Sequence, residues 1–286
     1  MEIIKPSVEL LSQGTDIIAH VAKCARVCYG SDKTIDNERT YKNLLKSKHY
    51  SMFRHESRYF IVNYNKRDDN YYTLCDLLEE YTYCPYIDYH FDNGCDDIYI
   101  ATNGHFLLDH EYLFNIIHNY EVDEIKFMNT KEGFKLMRYT FKIITQISTS
   151  RELNRVSPNN IAEQSTRYVN LNKNGGAICQ PHWVEEKDIE DWINGNDNAT
   201  SIYYHNQCQL AFDCYNELIS LGMKPEDARG VLPLDTATVC IYTYSIKEWK
   251  HIIDLRYYGK TGKPHPNAKI IAGMIKKQLN ELGYNI

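Results

Sequence analysis

The chain of 286 residues is 43% hydrophobic and 24% charged, which supplies enough apolar side chain for one large domain or two small ones. Its formal net charge of -6 excludes the basic excess expected of a general nucleic-acid binder, although a few local arginines suffice to hold a nucleotide-sized anion. The nine cysteines include Cys24 and Cys28, four apart on an expected helix, but no Cys-x-x-Cys pair. That usage suits buried thiols in a reducing cytosol better than a disulfide scaffold or a zinc site, so no metal is expected. No signal peptide, transmembrane run or low-complexity tail is read, and a cytoplasmic chain with neither a membrane nor a nucleic acid as partner is expected.

In chain order, residues 1–12 read as a short strand, and Thr15 is expected to cap a helix that buries Ile17, Ile18, Val21, Ala22 and Ala25 and ends at Gly30. A second helix, about Asp36 to Lys46, delivers the run His49-Tyr50-Ser51-Met52-Phe53-Arg54-His55. Ser57 to Tyr64 is an aromatic and β-branched strand. Between residues 65 and 133 the pattern gives a Tyr-rich helix near Tyr71–Tyr81, a strand at Ile98–Thr102, an Asn103-Gly104 turn and a helix near Glu111–Tyr120.

Period-two alternation then marks a long strand, with Met137, Tyr139, Phe141, Ile143 and Ile147 on one face and Arg138, Thr140 and Lys142 on the other. It leads into the stretch around which the chain is organised, Ser150 to Tyr168, which holds Arg151, Arg155, Arg167, Glu152, Glu163 and several hydroxyls. Ser148, Thr149 and Ser150 are N-cap candidates for one or two helical turns over Arg151–Arg155. Pro158 forbids regular helix, and Asn159–Tyr168 is expected as a loop whose free backbone donors and side chains converge on a ligand. The spacing alone equally fits an exposed polar loop after an edge strand, or arginines that hold phosphate, sulfate or carboxylates.

Further on, Val184–Ile193 reads as an acidic helix bearing Trp192. Asn198–Leu221 is the longest helix, with Leu210, Ala211, Cys214, Leu218 and Ile219 buried and Gly222 at its C-terminal cap. A strand Thr236–Tyr244 precedes a capping box, Ser245-Ile-Lys-Glu248, which opens a helix with Ile246, Trp249, Ile252 and Ile253 inward. Asn267–Leu282 is a final amphipathic helix.

The stretch after the long strand resembles the signature of the flavin-dependent thymidylate synthases: Arg-His-Arg, seven residues, then Ser, commonly followed by x-Arg-Tyr. Here Arg155, the residues Pro158 to Gln164, Ser165, Thr166, Arg167 and Tyr168 keep that frame, while Val156 and Ser157 replace the His and second Arg. Other segments are similar to the same family in the right order. Cys24-Ala-Arg-Val-Cys28-Tyr resembles its first-helix "AARVS" run, and His49 to His55 its "HxTPFEH" turn. Met223-Lys-Pro-Glu-Asp-Ala-Arg229-Gly-Val-Leu-Pro-Leu234 resembles its "EVAR(x)VLPL" segment, and Leu255-Arg256 with His265-Pro266-Asn267 its C-terminal "LR…HPQ" pattern.

The resemblance implies an α+β fold, a mostly antiparallel sheet flanked by helices, as a single domain over 1–286 with an insertion at about 65–133. It implies reductive methylation of dUMP to dTMP, with carbon from methylenetetrahydrofolate and hydride from NADPH through FAD, in a homotetramer whose subunits share active sites. On the dUMP side it places Glu152, Arg155, Glu163, Gln164, Ser165, Thr166, Arg167, Arg229 and Arg256, with Arg256 and Ser165 closest to the chemistry. On the FAD side it places His49, Ser51, Arg155, Ser157, Glu163, Ser245, Lys247 and His251. As a residue in its own right, Ser245 is equally well explained as a helix cap. Two charged hydrogen bonds lost at Val156 and Ser157, at about 1.5–3 kcal/mol each, amount to about two to four decades of affinity. Lys247, His251 and Arg151 are the candidates to make up that loss. Without it, the alternatives are a non-catalytic dUMP-binding homologue or another one-carbon modification at carbon five of a uracil nucleotide.

Overall fold

A computed structural model describes residues 1–30, 36–63, 69–92, 94–156, 160–171, 176–195 and 199–286. The strands are β1 (Glu2–Ile4), β2 (Ser7–Leu11), β3 (Ser57–Val62), β4 (Ile87–Phe91), β5 (Ile98–Asn103), β6 (Glu121–Val122), β7 (Arg138–Gln146), β8 (Ile161–Glu163), β9 (Ala177–Cys179) and β10 (Ala237–Ser245). The helices are α1 (Ile17–Val27), α2 (Asn37–Lys46), α3 (Asp69–Glu80), α4 (Gly104–Asp109), α5 (Glu111–Ile117), α6 (Glu124–Met128), α7 (Lys131–Leu136), α8 (Ile147–Leu153), α9 (Glu186–Asn194), α10 (Ala199–Ser220), α11 (Pro225–Ala228), α12 (Ile246–Arg256) and α13 (Pro266–Glu281).

The main sheet is antiparallel in the order β2-β7-β10-β8, a second antiparallel sheet runs β4-β5-β3-β6, and β1 pairs with β9 in parallel. This is the expected α+β arrangement. β7 is a central strand, not an edge, because β2 and β10 flank it on both sides. Its apolar face packs as expected: Met137, Tyr139, Phe141 and Ile143 join Trp249, Ile252 and Ile253 of α12 and Ile271 and Ile275 of α13 in one core. Trp249 meets Phe141 edge-on at 5.0 Å and donates its indole N–H to the Tyr139 carbonyl at 3.0 Å. The face that carries Arg138 and Thr140 is buried too, under α1 and a 3-10 turn over Tyr50–His55. There Thr140 and Thr243 share a hydrogen bond of 2.8 Å, His55 Nδ1 meets Thr243 at 2.8 Å, and His20 Nε2 meets Thr140 at 3.3 Å. The polar half of the alternation therefore marks a buried hydrogen-bonded layer instead of a wet surface.

The stretch 65–133 adds the second sheet's partners. Leu74 and Leu78 of α3 pack with Phe60, Ile98 and Ile100, and Phe106, Leu113 and Ile117 close the same cluster. Residues 64–68 lie outside the described residues, so the described part of the Ser57–Tyr64 strand ends at Val62 in β3. Asn103 and Gly104 do not form a turn. The Asn103 side chain caps α4 by accepting from Phe106 N at 2.9 Å, and a Cβ on Gly104 would stand 2.6 Å from the Glu56 carboxyl.

Other expected boundaries shift. Asp16, not Thr15, caps α1. α8 starts at Ile147 with Gln146 in the N-cap position, so Ser148, Thr149 and Ser150 lie inside the helix. Asn159 to Tyr168 is not all loop, since Ile161–Glu163 pairs with β10. On α10 the buried stripe is Ser201, His205, Cys208, Phe212 and Tyr215, while Leu210 and Cys214 face outward and Ala211, Leu218 and Ile219 are half-buried. Polar Ser201 and His205 concealed that stripe: they are bonded to each other at 3.0 Å, and Trp192 of α9 stacks on the His205 ring at 5.0 Å.

Burial holds His20 at about 4 and His55 at about 3, below the ordinary 6.5. Below pH 6.5 the unfolded chain binds protons at both while the folded chain does not, so stability present above that pH is lost as the pH falls toward those values. From pH 7 to pH 5 each histidine costs about 2 kcal/mol. Burial lifts the Glu248 carboxyl to about 7, so the folded chain binds that proton and regains about 2 kcal/mol over the same interval. Glu248→Gln is therefore expected to lose about 2 kcal/mol more than the parent chain between pH 7 and pH 5 in urea denaturation. Equal losses in the two would contradict this account.

Candidate active site

The register of β8 on β10 sets Glu163 opposite Cys240 and beside Thr238. Its carboxylate accepts from Ser150 Oγ at 2.8 Å and Thr238 Oγ1 at 3.2 Å, which ties the turn after β8 to α8. The chain then bends sharply. Gln164 N donates to Val239 O at 2.8 Å, Ser165 N to Cys28 O at 3.0 Å, and Arg167 N to Ser165 Oγ at 3.2 Å. The backbone donors expected to be free at Gln164 and Ser165 are thus already used within the chain. What this corner offers a ligand is side chains.

Those side chains converge from two segments. Arg167 Nε donates to Glu226 Oε2 at 2.7 Å, and Arg229 donates from Nε to Glu226 O at 3.1 Å and from Nη1 to Thr166 Oγ1 at 3.2 Å. α11 starts at Pro225, whose fixed φ suits the first helical position, and its four residues carry Glu226 and deliver Arg229 at the C-cap. The Arg167 guanidinium beside Glu226 holds that carboxyl below the usual range. Arg167 also lies 5.1 Å from the Tyr168 ring centroid, and Tyr168 packs on Tyr29 at 5.8 Å. Two guanidinium groups meet on Glu226 at an exposed corner, Arg167 at its carboxylate and Arg229 at its backbone carbonyl, and Thr166 keeps its hydroxyl proton for a further acceptor. That arrangement suits a phosphate.

A second group forms at the end of α8. Arg256 Nε donates to the Glu152 carbonyl at 2.8 Å, and Arg155 Nη2 stands 3.3 Å from Glu152 Oε1. Next to it Val156 is 3% exposed, packed in the main core with Leu153 and Tyr242. An imidazole there would face a hydrophobic interior, so the departure from the signature is a packing choice. Ser157 lies outside the described residues.

The remaining expected cofactor residues fall in two places. His49 is exposed and precedes the 3-10 turn, with Ser51 half-buried inside it, while Arg54 of the same turn donates to His105 Nδ1 at 3.0 Å and lies over Tyr86 at 5.3 Å. Ser245 is 1% exposed, and its hydroxyl accepts from Glu248 N at 3.3 Å while Glu248 Oε2 accepts from Ser245 N at 3.1 Å. The capping box read in the sequence is present, and it occupies that hydroxyl. Lys247 is 3.8 Å from Asp88, and with His251 it lines a cavity of about 520 Å³ whose opposite wall is Thr82–Tyr89 of the 65–133 stretch. A cleft of about 410 Å³ was missed by sequence reasoning: Lys23 and Arg26 of α1 and Lys142 of β7 surround it with Gly30 and Gln164. Its signals were the i, i+3 spacing on α1 and the strand alternation, but nothing in the sequence joins the two. Among the described residues no group of three or more His, Cys, Asp or Glu is placed to hold a metal ion, and no helix is long and apolar enough to cross a membrane.

The arginine corner is suited to gripping an anion. The chain belongs to the thymidylate synthase complementing protein family, whose profile matches residues 122–282. That span holds the motif stretch, Arg229 and Arg256; Cys24–Tyr29 and His49–His55 precede it. Over 112 residues it is 29% identical to a flavin-dependent thymidylate synthase of Haloarcula marismortui, and over 107 residues 33% identical to one of Halobacterium salinarum. Each match takes in 32% of this chain, and the chain spans 43% of the length of each relative. It is also similar to the UMP/dUMP methylase PolB of Streptomyces cacaoi, solved with 5-Br dUMP and with 5-Br UMP, at 17% identity and TM-scores of 0.44 and 0.45, covering 99% of this chain and 93% and 92% of those.

Because Val156 is buried, Val156→His is expected to destabilise the chain by about 2–4 kcal/mol in chemical denaturation, through overpacking and an unpaired buried ring. An unchanged midpoint would mean that the side chain reaches solvent.

Proposed function

We propose that this chain methylates dUMP to dTMP reductively, using methylenetetrahydrofolate, NADPH and FAD, as a cytoplasmic homotetramer with shared active sites. The observation that carries the reading is the corner Arg167–Glu226–Arg229–Thr166 inside the family-matching region. Arg167 and Arg229 grip the nucleotide phosphate by exchanging their bonds to Glu226, with the Thr166 hydroxyl as a further donor. Ser165 orients the substrate from the turn. Arg256, held at Nε by the Glu152 carbonyl, keeps its terminal nitrogens for the uracil imide, where a cation favours the ionised base and raises electron density at carbon five. Glu152, Arg155, Glu163 and Gln164 frame the same nucleotide. Bound flavin supplies hydride transfer, and the chain's cationic residues fit its anionic end, since Lys23, Arg26 and Lys142 converge on one cleft. His49, Ser51, Lys247 and His251 are the proposed contacts for its remainder. Arg155, Ser157 and Glu163 complete that proposed contact set, whereas the engaged Ser245 hydroxyl favours a purely structural role. All nine cysteines are free, which suits a reducing compartment.

The test is dTMP formation from dUMP with all three co-reactants, followed by chromatography. Arg229→Gln is expected to raise KM for dUMP at least tenfold. No dTMP at saturating co-reactants would overturn the reading. The burial of Val156 favours a second one, nucleotide binding without turnover, which dUMP binding in an inactive chain would select.

A further inference from the structure

The turn that carries His49 and Ser51 does little to hold its own shape. It is a single 3-10 stretch, a form whose hydrogen bonds are poorly aligned. Met52 N reaches His49 O at 3.4 Å and Glu56 N reaches Phe53 O at 3.2 Å, and among the described residues no side-chain cap is bonded at His49. The pattern it resembles, HxTPFEH, has a proline where this chain has Met52, so the fixed φ that would stiffen the turn is missing, and a glutamate where this chain has Arg54. Packing secures one half: Met52 and Phe53 are buried, and Tyr41 of α2 meets Phe53 edge-on at 4.9 Å. In the other half His49 is exposed, and Tyr50, Ser51 and Arg54 are half-buried.

The 65–133 stretch clamps that second half. Arg54 Nε donates to His105 Nδ1 at 3.0 Å, and the guanidinium lies over the Tyr86 ring at 5.3 Å. An arginine nitrogen only donates, so Nδ1 carries no proton and the ring's proton sits on Nε2, which faces Asp109 Oδ2 at 3.4 Å. Asp109 thereby favours the tautomer that can accept from Arg54. Burial pushes the His105 pKa below its ordinary value, which keeps the ring neutral and accepting at pH 7. Both partners are fixed in turn. The Tyr86 carbonyl accepts from Thr102 Oγ1 at 2.9 Å, and α4, which bears His105, begins on the far end of the same turn, where Gly104 N donates to Glu56 O at 2.9 Å. A Cβ on residue 104 would stand 2.6 Å from the Glu56 carboxyl, so glycine permits the approach that brings His105 within reach of Arg54.

We propose that His105 is a positioning residue, which acts through Arg54 to hold the turn in the shape that presents His49 and Ser51 to the flavin. It supplies from the 65–133 stretch the rigidity that the turn lacks at Met52. This rests on the flavin-dependent reading above. A turn held in its binding shape binds without first being ordered, and one populated only in part weakens binding by that fraction.

The experiment is hydrogen exchange read by mass spectrometry on the full chain, His105→Leu and His105→Asn, with fluorescence titrations of each by FAD and by dUMP. In His105→Leu the amides of residues 50–56 are expected to exchange at least about fivefold faster while β7 and β10 are unchanged. FAD is expected to bind about tenfold more weakly, and dUMP within about twofold of the parent chain. His105→Asn is expected to restore both values, because its Oδ1 stands where Nδ1 does and accepts the same bond. Unchanged exchange at 50–56 in His105→Leu overturns the inference whatever FAD does. Faster exchange there with undiminished FAD affinity overturns the positioning role, and so does an asparagine that restores neither value. Faster exchange throughout β7 and β10 also overturns it, since His105 then supports the whole fold and not the turn. A parent chain that binds no FAD overturns the flavin reading and with it the presentation of His49 and Ser51, an outcome told apart from failure of the clamp by the exchange at 50–56.

Discussion

The pairing of β7 with β10 is the constraint on which the rest depends. Arg138 to Gln146 lie in unbroken register against Ser245 to Ala237, and most positions of both strands are buried on either face. A strand covered on both sides cannot slip by one residue without moving aromatics into the polar layer and threonines into the core. The two ends of this ladder therefore deliver the site. β7 runs directly into α8 and so to Glu152, Arg155 and Val156, while β10 runs through the Ser245 cap into α12 and so to Arg256. Arg256 and Glu152 meet because both helices leave the same pair of strands.

The third strand of that unit, β8, is short, and its three residues do two jobs. Its pairing with β10 positions Glu163, which is bonded to Ser150 and Thr238 and so locks the turn that follows. The locked turn then presents Arg167 to Glu226 and Thr166 to Arg229, while its Gln164 lines a cleft together with Lys23, Arg26 and Lys142. A chain of net charge -6 thus still gathers basic side chains locally. Local placement and not overall charge decides which ligands it attracts.

Much of this was legible in the sequence, for physical reasons that also explain the failures. Period two in β7 and the capping box at Ser245 are local signals, and both are present where they were read. The α10 stripe failed because its inward positions include Ser201 and His205, which bury by bonding to each other, so apolar counting chose the outward Leu210 and Cys214 instead. The three consecutive hydroxyls at 148–150 looked like caps, but the β7–β10 ladder already fixed where the strand ends and the helix begins with Gln146. Val156 read as a lost cofactor contact, and only the packed core shows it as a gained hydrophobic one. Lys23, Arg26 and Lys142 were unreadable as a set because tertiary structure alone brings α1 over that end of β7.

The 65–133 stretch bears on the same question from the other side. Its Asp88 pairs with Lys247, and its His105 and Tyr86 hold Arg54, so two cations beside the expected flavin contacts are engaged within the chain. The two engagements differ in strength. Lys247 is 80% exposed and 3.8 Å from its partner, a pair worth at most about 1 kcal/mol, which a ligand anion displaces readily. Arg54 has a 3.0 Å bond to His105 and an aromatic face beneath it, in a part-buried position where desolvation strengthens both. Lys247 is thus available to a cofactor entering the cavity beside Thr82–Tyr89, and Arg54 is committed to the fold.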